Sequence, residues 1–526
     1  MAISLATMEG RRKAAKSEKA AFQPLLDDVY EYGIPFRKGV QQTGKGEKRT
    51  NRVFDHTAMV SAFRGANRLA QDIAPAGQQF FSLTPGPLAK ATMQPDQQKE
   101  MAAQLEVTQL IVGAHFQSGE WDTALAEMCL DVMASTGCML IDADKRGMSR
   151  FIAVPLDEVD LTSDGYNKVN GIFWARKWTL QALADEFGTD KFSEQLKKNL
   201  ADKPESDVTL FQDTVFDAKA ERWVRIASIK DGAETAGIEL RRGETRTCPW
   251  LTPRHFNVPG ETYGRGPLML VMPTVKALNT GKKLTLQGAA IAMLGIYTAV
   301  DDGVFSPDNF LTYPGAVNKV ARNGGTLGPS ITRFPDPRVD LTQLIFKDMA
   351  MEIQVGMNDN QLPPDTAAVR SATEVLERVK RMAGDHMGAY GRMIMEIVVP
   401  AVKRVMEIAY EAKQLPGTVD IDRMFVDVQV ASPMALAREA ERMQKLTQYI
   451  DLALMMVQAK AAGVDRYAKL DVMVPEIARG MAIPERMLPS DKDREAMDQQ
   501  AAAQQAAMLA AQSPEAMQAA GQAMAA

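Results

Sequence analysis

Apolar residues recur every three to four positions over most of the chain and alternate with polar ones only in its second quarter. The first pattern predicts helices and the second predicts strands. Residues 1–30 read as a helix with Leu25, Leu26 and Val29 on one face, stopped by Pro35. A Gly/Lys-rich loop spans 38–49. Residues 51–73 are strongly amphipathic, with Val53, Met59, Val60, Phe63, Ala66, Leu69 and Ala70 on the apolar side; Pro75 and Gly77 end the helix. Residues 80–83 read as a short strand. Helices follow over 97–118 and 121–135, broken at Gly119, with Asp122 as a cap near the second start.

Strand patterns dominate from Gly137 onward. Residues 138–141 and 151–155 flank the turn Lys145-Arg146-Gly147, and 157–161 and 169–178 flank a hairpin at Asp164-Gly165. Helices are predicted at 180–187 and 192–200. Further strands lie at 208–216, at 222–229 and after Asp231-Gly232. This α+β region runs to about residue 260. A long helix pattern then covers 273–292, with Pro273 in its first turn. Residues 295–336 are rich in Gly, Pro and Asn and carry short strand patterns around the turn signal Asn323-Gly324-Gly325. Helix returns over 341–356, where Leu344, Ile345, Met349, Ile353 and Met357 form a stripe. Two helices thus flank a small β-like insert, and a polar loop containing Pro363 and Pro364 follows. The longest helix pattern covers about 368–413. Pro400 falls inside it, removes a hydrogen bond and crowds the carbonyl of Glu396, so a kink is expected there. A strand at 424–430 and helices over 434–480 complete the pattern.

Composition narrows the class. The 526 residues are 46% apolar and 24% charged, which suits a globular chain of several domains and excludes wholesale disorder. The last 36 residues hold 14 Ala, 7 Gln and 4 Met, a low-complexity tail without a core pattern. The formal charge is −5, so no broad basic face for gripping nucleic acid is expected. Three cysteines, Cys129, Cys138 and Cys248, form no disulfide framework and no C-x-x-C pair, which fits a reducing compartment. Signal-peptide patterning is missing, and the longest uncharged apolar stretch, 284–300, is too short and too Gly-broken to span a membrane.

Candidate chemistry is sparse. Gly39 to Lys45 has the G-x-x-x-x-G-K spacing of a phosphate-binding loop, but Gly46 stands where Ser or Thr would hold Mg²⁺, and neither the strand before nor the helix after is present; a charged loop is the better reading. His56, His115, His255 and His386 are isolated in sequence and read as packed or surface histidines rather than ligands. No hydrolase, zinc-protease or Cys/His signature occurs. No metal or cofactor is expected. Glu374, Glu377, Arg378 and Arg381 mark a charged helix face with i,i+4 pairs, suited to solvent or to a neighbouring subunit. The methionine-rich helices suit cores or adaptable interfaces. A chain this long without an active-site constellation points to a structural or interaction protein.

Several stretches carry a family resemblance. Trp121-Asp-Thr-Ala-Leu-Ala-Glu-Met128 followed by Ala134-Ser-Thr-Gly137-Cys-Met-Leu-Ile141, then Gly260-Glu-Thr-Tyr-Gly-Arg265, Ser371-Ala-Thr-Glu-Val375 and Ile397-Val-Val-Pro400-Ala-Val-Lys-Arg-Val405, occur in one order. With the Ala/Gln/Met tail and Ser513-Pro-Glu-Ala-Met517, they resemble the head-to-tail connector (portal) proteins of T7-like short-tailed bacteriophages, the podoviruses. Each motif alone is weak; their order and spacing are specific, and they run along nearly the whole chain.

The resemblance implies a helix-rich α+β portal fold assembled as a ring, usually of twelve subunits, around a DNA channel. Carried over, 1–265 is the wing, 266–294 and 337–357 are the two stem helices and 295–336 is the small β-containing clip. Residues 358–370 are the tunnel loop, 371–414 the long kinked helix, 415–490 the wing end and helical crown, and 491–526 the tail. The implied channel residues are Asn358, Asp359, Gln361, Pro363, Asp365 and Arg370. Here Asp359, Pro363, Pro364 and Asp365 make the loop acidic and stiff. Clip docking falls to Arg322, Arg333 and Arg338, and the kink to Pro400.

The implied location is the portal vertex of the virion, after synthesis in the host bacterial cytoplasm. The implied partners are further copies of the chain, the terminase large subunit, a tail adaptor protein, scaffolding and major capsid proteins, internal core or ejection proteins, and double-stranded DNA passing non-specifically, with no membrane. An acidic balance suits sliding, because each phosphate contact adds a counterion-release term that would make DNA stick. The alternative is another virion structural protein, such as a tail or internal core component. An NTPase built on Gly39 to Lys45 is a distant third.

Overall fold

The computed structural model describes residues 3–37, 49–230, 237–294, 297–299, 331–333, 340–357, 359, 391–415 and 426–430. All of them belong to the first of two compact units, Met1–Pro433; the second is Met434–Ala526. The predicted crown and tail, the decoy loop from Gly39 to Lys45, His386 and the charged face from Glu374 to Arg381 lie outside the described residues.

Period-two patterning over 159–245 produces an antiparallel sheet in the order β4-β5-β6-β7-β8. Its strands are β4 Val159–Ser163, β5 Val169–Thr179, β6 Asp207–Asp217, β7 Arg222–Ile229 and β8 Ile238–Thr245. The hairpin between β4 and β5 closes where expected: the Asp164 carboxylate accepts the backbone N–H groups of Tyr166 and Lys168 at 2.9 and 2.8 Å. Helix α1, Leu5–Tyr32, lies on one face of this sheet, with Met8 and Ala15 against Phe173, Val215, Val224 and Ile226. Its Lys19 is buried and donates to the carbonyls of Leu156, Asp157 and Val159 at 2.9, 2.9 and 3.0 Å, so all three ammonium protons are matched by the turn that precedes β4. On the opposite face, the short helices α6 Leu180–Phe187 and α7 Glu194–Asp202 bury Leu183 and Leu196 against Leu210, Ala227 and Ile229.

A second sheet, in the order β3-β2-β9, is made of β2 Met139–Ala143, β3 Ser149–Ala153 and β9 Trp250–Leu251. It joins the first through Trp250, whose ring N–H donates to Thr214, and through the Asp142–Arg225 ion pair at 2.8 Å. Against it stand α4 Pro95–Ser118 and α5 Trp121–Ala134, with α2 Thr57–Ile73 packed on α5; between α2 and α4 the chain forms β1 Phe81–Pro85 and a short α3, Pro87–Thr92, that periodicity did not signal. Phe80, Phe81, Phe116, Trp121 and Phe151 form one aromatic cluster, with Phe116 and Phe151 stacked at 5.3 Å.

Three boundaries differ from the sequence reading. Helix α2 starts at Thr57 rather than at 51, because the side chain of Asn279 captures the chain before it: it accepts the N–H groups of Phe54 and Asp55 and donates to the Arg52 carbonyl. With those groups satisfied by a residue 225 positions away, no helical turn is needed there. His56 accordingly stands at the N-cap of α2. Asp122 is not the cap of α5; Glu120 is, in a left-handed conformation with φ 59°, and Asp122 sits in the first turn, where its charge still favours the helix N-terminus. Helix α8 spans Pro267–Leu294, so the proline in its first turn is Pro267, and Pro273 lies inside.

Candidate functional site

Residues 254–266 form the approach to α8. Ser135 donates to the Gly264 carbonyl at 2.7 Å, Thr136 accepts the Gly264 N–H at 2.8 Å, and Phe256 and Arg265 exchange backbone hydrogen bonds. The Tyr263 hydroxyl accepts the Leu161 N–H at 3.0 Å and its ring stacks on Phe22 of α1. The Gly260 to Arg265 motif is therefore the clasp that fixes the root of α8 to the large sheet, to the link between α5 and β2, and to α1.

From that root the chain runs out along α8 and returns along α9, Asp340–Gly356. Between them, β10 Tyr297–Ala299 pairs antiparallel with β11 Ile331–Arg333. The predicted helix–insert–helix hairpin is thus present in its described parts. Two glycines set its closeness. A Cβ on Gly281 would fall 2.6 Å from the Phe346 ring, and one on Gly356 would fall 2.3 Å from Val271. Ten residues forward on α8 match ten residues back on α9, as antiparallel packing requires.

Helix α8 is also tied to α1 and to the approach to α2. Lys276 pairs with Asp28 at 2.5 Å, and Lys282 pairs with Asp55. Burial alone would raise the Asp55 carboxyl, but the hydrogen bonds from Lys282 and Thr57 outweigh it and hold the group below its ordinary value.

Of the helix predicted over about 368–413, residues from 391 on are described. Its regular turns give way at Ile394–Val398 to a π-helical turn, followed by α10, Val399–Glu411, with Pro400 at its second residue. Two acidic side chains of this element hold the segments on either side of β9. Glu396 accepts the Arg254 N–H at 2.9 Å and pairs with its guanidinium at 3.4 Å. Buried Glu407 accepts the N–H groups of Arg246 and Thr247 and the Thr247 hydroxyl, and pairs with Arg404 at 2.9 Å. Just beyond, Gln414 meets the buried ring of His115 at 2.6 Å, whose other nitrogen accepts the Ser149 N–H at 3.1 Å. Strand β12, Val426–Val430, then pairs antiparallel with β1.

Among the sequence-derived site residues, Asp359, Arg333 and Pro400 are described. Asp359 follows α9; its carboxylate accepts the Ser61 hydroxyl at 2.9 Å and lies 3.5 Å from the Arg64 guanidinium. Arg333 stands in β11 opposite Tyr297. Asn358, Gln361, Pro363, Asp365, Arg370, Arg322 and Arg338 lie outside the described residues. Ser61, Arg64, Asn279, Glu396 and Glu407 were not singled out from sequence; each acts across more than 140 positions or on backbone, and no local motif marks such a pairing. Among the described residues, no group of three or more His, Cys, Asp or Glu is placed to hold a metal ion. No helix among them is long and apolar enough to cross a membrane.

The architecture of the described residues is a two-sheet α/β body that carries a helical hairpin and is held by the helix over 391–411. Residues 5–488 match the model of the family described as bacteriophage head to tail connecting protein. The match covers most of the chain, and the protein belongs to that family: it is a phage-type connector, a structural component of the virion. No curated protein matches the chain. Solved structures similar to it include the virion of a native gene transfer agent particle, at 12% identity over 80% of this chain and 91% of that one, with a TM-score of 0.28. The neck of an empty particle of this kind, computed with C6 symmetry, matches at 11% identity over 81% and 94%, with a TM-score of 0.31. The neck of a native one, computed with C12 symmetry, matches at 9% over 85% and 94%, with a TM-score of 0.30. Scores of this size carry no structural detail across to this chain.

Proposed function

We propose that this connector is the portal of a T7-like short-tailed phage. In this reading it is a closed ring of about twelve copies at one capsid vertex, through which double-stranded DNA enters at packaging and leaves at ejection. The ring docks the terminase motor and later the tail adaptor, meets scaffolding, capsid and internal core proteins during assembly, and performs no catalysis itself.

The observation that carries the reading is the apolar surface of the hairpin. Leu284, Leu286 and Met293 of α8 are 60%, 60% and 87% exposed, and Met351 and Val355 of α9 are 60% and 57% exposed. Both helices thus keep large side chains on their outer faces after they have packed on each other. Exposed apolar patches of this kind mark contact surfaces. Leu286 and Met293 share one side of α8, Leu284 lies on the other, and Met351 and Val355 share a side of α9; apolar side chains on separate sides of the hairpin suit a heterologous contact, in which one side of one copy meets a different side of the next, and when the rotation closes the result is a ring.

Native mass and particle images of the purified full-length protein test this. A closed ring with an axial hole, near 690 kDa for about twelve copies of the 57.6 kDa chain, is the expected result. A compact dimer without a hole would remove the reading and leave another connector role in the virion.

A further inference from the structure

Gly281 and Val271 of α8 face Phe346 and Gly356 of α9. Counted from those positions at about 100° per residue, the rest of the hairpin surface divides into two sides. Leu284 of α8 and Ile345, Asp348 and Glu352 of α9 lie about a quarter to a third of a turn away in one sense. Leu286 and Met293 lie about a quarter of a turn away in the other sense, and Lys283 and Lys347 lie further round that way. All of these side chains are exposed. Because the helices are antiparallel, the same sense of turn along each leads to the same side of the hairpin. The contacts of α8 agree with this division. Lys282 pairs with Asp55, and the Lys283 ammonium stands 5.8 Å from the centre of the Phe54 ring, so the second side is the one turned toward the approach to α2.

The two sides differ in charge. Helix α8 carries Lys276, Lys282 and Lys283 and no acidic residue. Asp28 and Asp55 pair with the first two. Among the described residues, no carboxylate pairs with Lys283 or Lys347, and no cation pairs with Asp348 or Glu352. One side of the hairpin is therefore acidic and the other basic, and each carries exposed apolar side chains. Apolar patches alone would let like sides meet. Two copies related by a two-fold axis would bury the same patch on both and stop at a dimer. Like charges brought opposite each other penalise that pairing, and opposite charges favour the meeting of unlike sides.

We propose that the Asp348 and Glu352 side of the hairpin in one copy docks on the Lys283 and Lys347 side of the hairpin in the next, so that charge selects head-to-tail addition over the two-fold dimer. Leu284 and Ile345 on one copy then meet Leu286 and Met293 on its neighbour. The proposal rests on the ring reading and adds to it which side meets which. The occupant of each side is a second copy of this chain.

The test is native mass and particle imaging of the full-length protein in three forms. These are wild type, an acidic variant (Lys283→Glu with Lys347→Glu) and a basic variant (Asp348→Lys with Glu352→Lys). Each variant alone is expected to lose ring yield at least about tenfold, because both of its sides then carry one sign. An equal mixture is expected to recover rings in which the two variants alternate, read as equal numbers of each in the native mass. Wild-type ring yield from each variant alone overturns the proposal. So does a mixture that stays unassembled although circular dichroism shows both variants folded. Wild type that forms no ring removes the ring reading, and this proposal with it. If a reversed variant fails to fold, Lys283→Gln with Lys347→Gln and Asp348→Asn with Glu352→Gln take its place. Both neutral variants are expected to lower ring yield and raise the share of dimer, and unchanged yield in both overturns the proposal.

Discussion

Asp213 sits in β6 with its side chain on the α1 face of the large sheet, fully buried beneath Arg12. The guanidinium bonds to it at 3.1 Å and lies over the Phe211 ring at 3.8 Å. Burial nevertheless pushes the carboxyl up to about 7, against the pull of Arg12. A raised carboxyl pKa means that the folded state holds the proton more tightly than the unfolded state does. The associated stabilisation is complete below the unfolded value near 4, declines as pH rises from about 4 to about 7, and is flat above that. Asp213→Asn keeps an acceptor for Arg12 and removes the titration. The variant is expected to gain on wild type across that interval, read as the difference in urea midpoint at successive pH values. A difference that stays constant from pH 4 to pH 8 would refute it.

The long helix shows how one residue sets the register of an element. Pro400 has no N–H to offer, and the turn before it widens so that the Val399 N–H bonds to the Ile394 carbonyl five residues back. The widened turn changes the phase of everything upstream by about 100°, the rotation of one helical residue. That phase lets Glu396 reach Arg254 while Glu407 reaches Arg246 and Thr247. Pro400→Ala restores the missing donor. It is expected to convert 394–398 to regular helix, straighten the element and break the Arg254–Glu396 pair. A variant structure that keeps the wide turn and the pair would show that tertiary contacts, not the proline, hold it.

At the scale of the whole molecule, the two sheets and their helices bury the aromatic cluster, although Phe36, Leu110 and Tyr166 stay 62%, 66% and 90% exposed. Helices α8 and α9 expose Leu284, Leu286, Met293, Met351 and Val355, and these are the side chains that the ring reading puts at the contact between copies. Leu284→Glu together with Leu286→Glu is expected to abolish ring formation and leave the folded subunit intact, because exposed substitutions usually change stability by less than about 0.5 kcal/mol. Native mass with far-ultraviolet circular dichroism reads both quantities. Rings that form as in wild type would place the contact elsewhere.

The sequence by itself determined the elements whose signals are local. Period-two alternation with Asp164-Gly165 marked β4 and β5, three-to-four spacing marked α5 and α9, and the Gly/Pro-rich insert marked the break between the two hairpin helices. Its ordered short motifs also pointed to the phage head-to-tail connecting proteins, the family to which the chain belongs. The tertiary structure decided what depends on partners far along the chain. Helix α2 starts late because Asn279 holds the residues before it, β1 finds β12 at the other end of the unit, and Asp359 is held by Ser61, 298 positions away. Local sequence sets the backbone preference of a few residues at a time, but a buried hydrogen bond between distant segments exists only once the fold has brought donor and acceptor together and excluded water from both.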